Sequence, residues 1–88
     1  PQSRNFSIMV ECDAQAEIDR LWHALTDGGK AIACGWLTDR WGITWQITPK
    51  RLLDLINDSD RAKGKRVMEA MMKMVKFDIA EIEAAARG

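Results

Sequence analysis

Residues 34–49 decide the fold, and they read CGWLTDRWGITWQITP. Over the stretch 43–48, apolar and polar side chains alternate, which predicts a β-strand with one buried side and one polar side. The apolar members are Ile43, Trp45 and Ile47, and the polar members are Thr44, Gln46 and Thr48. A shorter apolar segment, 31–38, precedes this strand, and residues 39–42 are typical of a connecting turn that ends at Gly42. The stretch therefore predicts two or three strands that follow one another closely.

A second alternating run lies upstream, over residues 5–12. Its apolar members are Phe6, Ile8 and Val10, and they alternate with Ser7, Met9 and Glu11. This run predicts a first strand of the same kind. An amphipathic helix follows, because Ile18, Leu21, Trp22 and Leu25 recur at helical spacing. We expect Asp13 to cap the start of this helix and Gly28 with Gly29 to end it.

The second half of the chain is predicted to be helical. Pro49 favours the start of a short helix, and Ser59 is a candidate cap for the next one. That longer helix has an apolar stripe formed by Val67, Met68, Met71, Met72 and Val75. Asp78 and Glu81 have the spacing of a capping box for a last helix. The whole pattern predicts an α+β fold in which a βαβββ module over residues 1–48 precedes a C-terminal helical extension over residues 49–88, with one domain overall.

Composition excludes several classes of protein. The chain has 88 residues, of which 47% are hydrophobic and 30% are charged, as in a globular protein. Thirteen basic residues balance thirteen acidic ones, so we expect no nucleic-acid partner and no anionic membrane surface. No apolar run is long enough for a membrane span, and no signal peptide is apparent. Cys12 and Cys34 match neither a disulfide scaffold nor a zinc motif, so we expect a cytoplasmic protein.

The stretch 34–49 resembles the CGWL-x-D-[RK]-[FW]-G-[IV]-x-WQI-x-P signature of PhnB-like proteins. These are a branch of the vicinal oxygen chelate (glyoxalase/bleomycin resistance) superfamily, often labelled 3-demethylubiquinone-9 3-methyltransferase-like. Residues 66–74 and 77–80 resemble the C-terminal helices of the same proteins. The resemblance implies a βαβββ module, and members usually carry two such modules. Because the chain matches the C-terminal module, the resemblance implies a homodimer or a missing N-terminal module as its partner.

The resemblance also implies where a divalent metal would be held. In the superfamily His and Glu side chains on the concave sheet face bind the metal, one near the start of the first strand and another on the last strand. The matching positions here are Gln46 on the last strand and Asn5, Phe6 or Ser7 on the first. Neutral amides and hydroxyls are poor ligands for a divalent cation. We therefore expect this chain to supply no metal site and no cofactor site of its own.

The polar sheet face is the predicted binding site for a small molecule. The candidate ligand-binding residues are Gln46, Thr44, Ser7, Met9 and Trp36. Three alternatives stay open: a solvated face without ligand, a metal-assisted enzyme of the glyoxalase or dioxygenase type with ligands from the missing module, and a structural dimerisation module. No catalytic residue is indicated, and His23 is expected on the surface. The methyltransferase label is disfavoured, because Gly28 and Gly29 end a helix instead of following a strand.

Overall fold

The computed structural model describes residues 7–88, and it contains a four-stranded sheet and four helices. The elements in chain order are β1 (Ser7–Cys12), α1 (Gln15–Thr26), β2 (Lys30–Ala31), β3 (Trp36–Thr38), β4 (Thr44–Pro49), α2 (Lys50–Ile56), α3 (Arg61–Met71) and α4 (Ile79–Arg87). The predicted α+β fold, a βαβββ module followed by C-terminal helices, is confirmed. The candidate residues Asn5 and Phe6 lie outside the described residues.

The strand order in the sheet is β1-β4-β3-β2. β1 and β4 are parallel, whereas β3 pairs antiparallel with both β4 and β2. The two central strands are therefore β4 and β3, and β1 forms an edge of the sheet. Because β4 pairs on both sides, its alternating sequence fixes the two faces of the sheet: odd-numbered residues of the stretch 43–48 face one way and even-numbered residues face the other.

One face of the sheet packs against α1. Its fully buried residues are Cys12, Ile18, Leu37 and Ile47, each at most 1% exposed. Trp45 is half-buried and packs against this cluster, together with Leu21 and Leu25 of α1. The prediction that Trp45 and Ile47 turn toward the first helix is confirmed. A second cluster joins the C-terminal helices and consists of Leu52, Leu55, Val67, Phe77, Ile82 and Ala86.

The helical half is attached to the sheet at the loop before β3. The backbone N–H groups of Cys34 and Gly35 donate to the carbonyl oxygens of Met74 and Val75, at 2.9 and 2.8 Å. The fully buried ring of Phe77 packs directly against Gly35. On the α1 side, the Gln15 amide donates to the Phe77 carbonyl and accepts from the Ile79 N–H. That residues 1–48 and 49–88 make one domain stays a prediction, which cooperative unfolding would test.

Two predicted helix caps differ from the structure. Ala14, and not Asp13, is the N-cap of α1 and makes no side-chain capping bond. The Asp13 carboxylate instead pairs with Lys50 at 3.2 Å, so a tertiary ion pair replaces the local cap. At α3 the cap is Asp60, and not Ser59, because the Asp60 carboxylate accepts from the Lys63 N–H at 3.1 Å. The predicted cap at Asp78 is confirmed, since its carboxylate accepts from the Glu81 N–H.

Two predicted segments are shorter than their sequence patterns. The apolar segment 31–38 divides into β2 and β3, because Cys34 and Gly35 have positive φ angles of 53° and 81° and interrupt the extended backbone. The apolar stripe of the long helix continues beyond the end of α3 at Met71. Met72 and Val75 are consequently exposed, by 68% and 47%. Of that stripe, Val67 is fully buried in the core and Met71 packs against it.

Candidate functional site

The five predicted ligand-binding residues come together on the face of the sheet that turns away from α1. The strand register places them in two neighbouring cross-strand rows. One row is Met9–Gln46–Trp36, and the next is Ser7–Thr44–Thr38. Directly paired residues project to the same face of a sheet, so these six side chains form one continuous surface. We call this surface the open face.

The open face is accessible in the chain as described. Met9 is 49% exposed and Ser7 is exposed, whereas the other four residues are half-buried. The Gln46 amide nitrogen donates to the Cys34 carbonyl at 3.3 Å. This bond ties the side chain to the loop before β3, and it leaves the amide oxygen Oε1 as the atom that can accept from a ligand. The face therefore offers an amide, three hydroxyls, a thioether and an indole to a bound molecule.

Thr48 continues the open face beyond Gln46. It is paired with Glu11 and is only 2% exposed. Its hydroxyl is buried and has no hydrogen-bond partner among the described residues. An unpartnered buried hydroxyl costs free energy, since it has lost its water without gaining a protein partner. Sequence reasoning assigned Thr48 to this face but gave it no role.

The described residues 7–88 contain no group of three or more His, Cys, Asp or Glu side chains placed to hold a metal ion. Gln46, which the resemblance aligns with a metal ligand, uses its amide nitrogen in the bond to Cys34. His23 lies on an exposed position of α1, as predicted. The donor atoms at the centre of the open face are the Gln46 amide oxygen, the hydroxyls of Ser7, Thr38 and Thr44, and the Met9 thioether.

Asp39 is the residue that sequence reasoning missed. It is 5% exposed, and its carboxylate accepts from the backbone N–H groups of Trp41 and Ile43 and from the Trp45 indole N–H, at 2.8–3.0 Å. Burial is the largest single effect and raises the pKa of Asp39, but these hydrogen bonds together outweigh it and hold the pKa below its usual value. In an Asx turn, an Asp side chain accepts a hydrogen bond from the backbone N–H two residues later, as Asp39 does from Trp41. Asp is a residue type that favours such turns, so the sequence did contain a signal for this one. The role of Asp39 is to fix the β3–β4 turn and the ring of Trp45.

The two cysteines are both free, and they differ in their surroundings. Cys12 is buried, and burial is the main cause that raises the pKa of its thiol, with smaller contributions from Glu17 and Asp13. Cys34 is half-buried, and its thiol lies 3.6 Å from the Met71 carbonyl. Neither thiol has a histidine beside it that could act as its base, among the contacts formed by the described residues.

Three surface cavities lie away from the open face. The largest, of about 660 Å³, is between the end of α2 and α3 and includes Gly64 and Met68. A second, of about 410 Å³, lies between α3 and α4, and a third, of about 150 Å³, lies beside the β3–β4 turn. None of the six open-face residues lines these cavities. The open face is therefore separate from these three cavities.

The model of the family described as 3-demethylubiquinone-9 3-methyltransferase matches residues 1–48. The chain belongs to this family. The match covers α1 and all of the sheet except Pro49, and it includes every residue of the open face, so the family assignment and the candidate site concern the same part of the molecule.

A solved structure, that of protein PA1353 from Pseudomonas aeruginosa, is similar to this family member. The two share 29% sequence identity, and their superposition has a TM-score of 0.52. The similarity covers 56% of this chain and 44% of PA1353, so the chain spans less than half the length of that relative. No curated protein matches the chain. Within residues 7–88, no helix has the length and apolar character that crossing a bilayer requires.

Proposed function

We propose that this family member is the C-terminal module of a PhnB-like protein of the vicinal oxygen chelate superfamily, and that its open face binds a small molecule. The observation that carries the proposal is the pair of cross-strand rows, Met9–Gln46–Trp36 and Ser7–Thr44–Thr38. Ligand sites combine apolar and aromatic surface with a few polar groups that fix orientation, and these rows have that composition. The opposite face of the same strands is occupied by core residues.

The proposed site needs a second module to become a pocket. Small-molecule sites are concave and enclose most of their ligand, whereas Met9 and Ser7 of the open face are exposed. Among the described strands β1 lies at the edge of the sheet, and an edge strand can pair with a strand of a second sheet. We propose a second copy of the chain, or a further module of the same protein, as the element that covers the face. Sedimentation at micromolar concentration tests the homodimer: a folded species of one chain's mass would contradict it.

Methyl transfer is not part of the proposal, although the family description names a methyltransferase. The usual methyltransferase fold binds the methyl-donor cofactor at a glycine-rich loop that follows a strand of a doubly wound parallel sheet. Here the sheet has one parallel pair, and Gly28 and Gly29 follow α1 and precede β2. The described residues therefore do not form the glycine-rich loop that would bind the methyl-donor cofactor. The free thiols of Cys12 and Cys34 agree with a reducing compartment, and we propose the cytoplasm.

Fragment screening by protein NMR tests the proposed binding. We expect fragments to shift the backbone amides of β1, β3 and β4 and the side-chain amide of Gln46. Met9→Ala should weaken these shifts, whereas Met72→Ala, at an equally flexible and more exposed methionine on the helical half, should leave them unchanged. A screen in which no fragment perturbs the open face, or in which both variants behave alike, would contradict the proposal. Stoichiometric metal in the purified protein, lost on Gln46→Ala, would instead favour the metal-assisted enzyme.

A further inference from the structure

We infer that the cavity between α2 and α3 is a second binding site, which takes a small organic anion with an apolar part. This site is separate from the open face, so the inference goes beyond the proposed function and does not depend on it. The volume of the cavity is about 660 Å³, within the range of about 300–1,000 Å³ that is typical of small-molecule sites. We call it the α2–α3 cavity, and its lining includes Ile56, Asn57, Arg61, Gly64, Lys65 and Met68.

One side of α3 forms a wall of this cavity. Four residues of the helix line it, and they are Arg61, Gly64, Lys65 and Met68. Residues three and four apart lie next to one another on the same side of a helix. The opposite wall is the end of α2 and the turn that follows it, residues 56–59. The α3 wall therefore presents two cations toward its N-terminal end and a thioether beyond them.

The two cations of this wall have no partner within residues 7–88. Arg61 and Lys65 are exposed, and they form no ion pair or side-chain hydrogen bond with that part of the chain. Because they lie four residues apart on one side of a helix, their like charges repel each other. An anionic group between them relieves this repulsion, and the Arg61 guanidinium can donate two parallel hydrogen bonds to a phosphate or a carboxylate.

The nearby carboxylates are engaged in other contacts. Asp58, which also lines the cavity, accepts from the Lys63 ammonium at 3.2 Å and from the Asp60 N–H at 2.8 Å. The Asp60 carboxylate caps α3 by accepting from the Lys63 N–H. Residues 57–65 thus carry three cations and two carboxylates, and both carboxylates are bound to Lys63. The positive charge that remains lies on the wall of the cavity.

The α2–α3 cavity also offers apolar surface. Met68 is 40% exposed, and the half-buried Ile56 packs against the core of the C-terminal helices. A thioether adapts to irregular shapes and makes favourable contacts with aromatic rings. An inorganic anion would leave this surface uncovered, whereas an organic anion can cover it. The lining therefore favours an anion that has an apolar part.

Gly64 provides an observation of a different kind. It is buried within α3, where glycine is less favourable for the helix than alanine. An added Cβ would lie 3.5 Å from the Ile56 carbonyl oxygen and 3.7 Å from the Leu55 carbonyl oxygen, which are ordinary contact distances. Packing among the described residues therefore leaves room for alanine at this position. The glycine keeps the wall free of a side chain, so a ligand can approach the helix backbone closely.

Four probes test the inference on the full chain. Phenyl phosphate has both the anionic group and the apolar part, inorganic phosphate has only the first, and benzyl alcohol has only the second. Benzoate shows whether a carboxylate can replace the phosphate. Affinities come from NMR titration, followed at the Gly64 amide, the Asn57 side-chain amide and the Met68 methyl, with the Gln46 side-chain amide as reporter of the open face. We expect phenyl phosphate or benzoate to bind at the cavity resonances more tightly than inorganic phosphate or benzyl alcohol.

Charge-matched variants assign the ionic contacts. Arg61→Gln and Lys65→Gln should each weaken the binding of the organic anion by about 2- to 5-fold, the equivalent of one exposed ion pair. Arg87→Gln and Lys73→Gln remove the same charges from exposed positions outside the cavity. These two controls should leave the affinity nearly unchanged.

Two further variants test the apolar contact and the role of the glycine. Met68→Ala should weaken the organic anion and leave inorganic phosphate unchanged, whereas Met72→Ala, at an exposed methionine outside the cavity, should change neither. Gly64→Ala should raise the melting temperature and weaken the organic anion, because the methyl group suits the helix but takes up space at the wall.

The inference is overturned by any of three results. In the first, neither organic anion shifts the cavity resonances, or the shifts are confined to the Gln46 side-chain amide of the open face. In the second, inorganic phosphate or benzyl alcohol binds as tightly as the organic anions. In the third, the two cavity charge variants act no more strongly than their two controls. The proposed function is tested by fragments at the open face, so each of these results leaves it standing.

Discussion

Gly35 is a position where a single added methyl group should strongly lower the stability of the fold. Its φ of 81° lies in the left-handed region, where a side chain costs about 1–2 kcal/mol. An added Cβ would also lie 2.8 Å from Phe77 Cδ2 and 2.9 Å from the Ile47 carbonyl oxygen. Both neighbours belong to the buried interior and neither is the end of a flexible side chain. Overpacking of this kind costs about 1–3 kcal/mol more.

We therefore expect Gly35→Ala to lower the free energy of unfolding by about 2–5 kcal/mol. A domain of this length has about 4–13 kcal/mol in total, so the loss is a large fraction of its stability. The melting temperature should fall by about 8 °C or more. The measurement is urea unfolding followed by tryptophan fluorescence, with a thermal melt by circular dichroism.

Gly28→Ala is the matched control for this experiment. Gly28 has nearly the same φ, 78°, but an added Cβ would meet only the side chain of the exposed Arg40, at 3.2 Å. It should carry the backbone cost of about 1–2 kcal/mol and little more. Combining Gly35→Ala with Phe77→Leu should reduce the cost of the alanine, because the ring edge is the closest obstacle. If Gly35→Ala and Gly28→Ala unfold at the same urea concentration, the steric reasoning is refuted.

Three further predictions concern single residues. Thr48→Val should raise the free energy of unfolding by about 1–2 kcal/mol, because it removes an unpartnered buried hydroxyl and keeps the shape; a loss of stability in urea would show that the hydroxyl has a partner. N-ethylmaleimide should label Cys34 before Cys12 in the native protein, as mass spectrometry of the digest can show, because Cys12 is 1% exposed and its pKa is raised; equal labelling would contradict the burial of Cys12. Asp39 has its pKa lowered on folding, so its contribution to stability is present above about pH 4 and is lost as the pH falls below that value. Asp39→Asn should flatten this acid-side decline in urea unfolding measured between pH 3 and 7, and a decline equal to that of wild type would contradict the prediction.

The sheet could be predicted from the sequence because its two longest strands alternate strictly. In β4 each side chain has a face assigned by its position alone, and the structure places Trp45 and Ile47 against α1 and Gln46 on the other side. The sequence could likewise predict that the candidate ligand-binding residues share one face of the sheet, because the same alternation applies to Ser7 and Met9 on β1. Whether these residues bind a ligand is a separate question, which the alternation does not answer.

The local details could not be predicted, because tertiary contacts decided them. Asp13 is of a residue type that favours N-caps, but the N-cap of α1 is Ala14, and the Asp13 carboxylate forms an ion pair with Lys50. The stripe that ends in Met72 and Val75 has helical spacing, yet α3 stops at Met71, and the chain then turns so that its carbonyl groups can pair with the loop before β3. The periodicity of a sequence shows which residues are suited to a helix. It does not show where the helix ends because its backbone groups form hydrogen bonds with another segment of the chain.

β4 connects the stability of this module with its proposed binding. Ile47 is fully buried in the core, and its N–H donates to the Gly35 carbonyl; Gln46, beside it, faces the open side and binds the Cys34 carbonyl. The loop of Cys34 and Gly35 is therefore held from one side by the core strand and from the other by Met74 and Val75 of the helical half. A perturbation at Gly35 should move the Gln46 amide as well as lower stability, because both depend on the position of this loop. The binding of variants in β4 or in this loop therefore has to be measured under conditions where the variant is fully folded. A substitution of the exposed Met9, in contrast, alters the open face without disturbing the core.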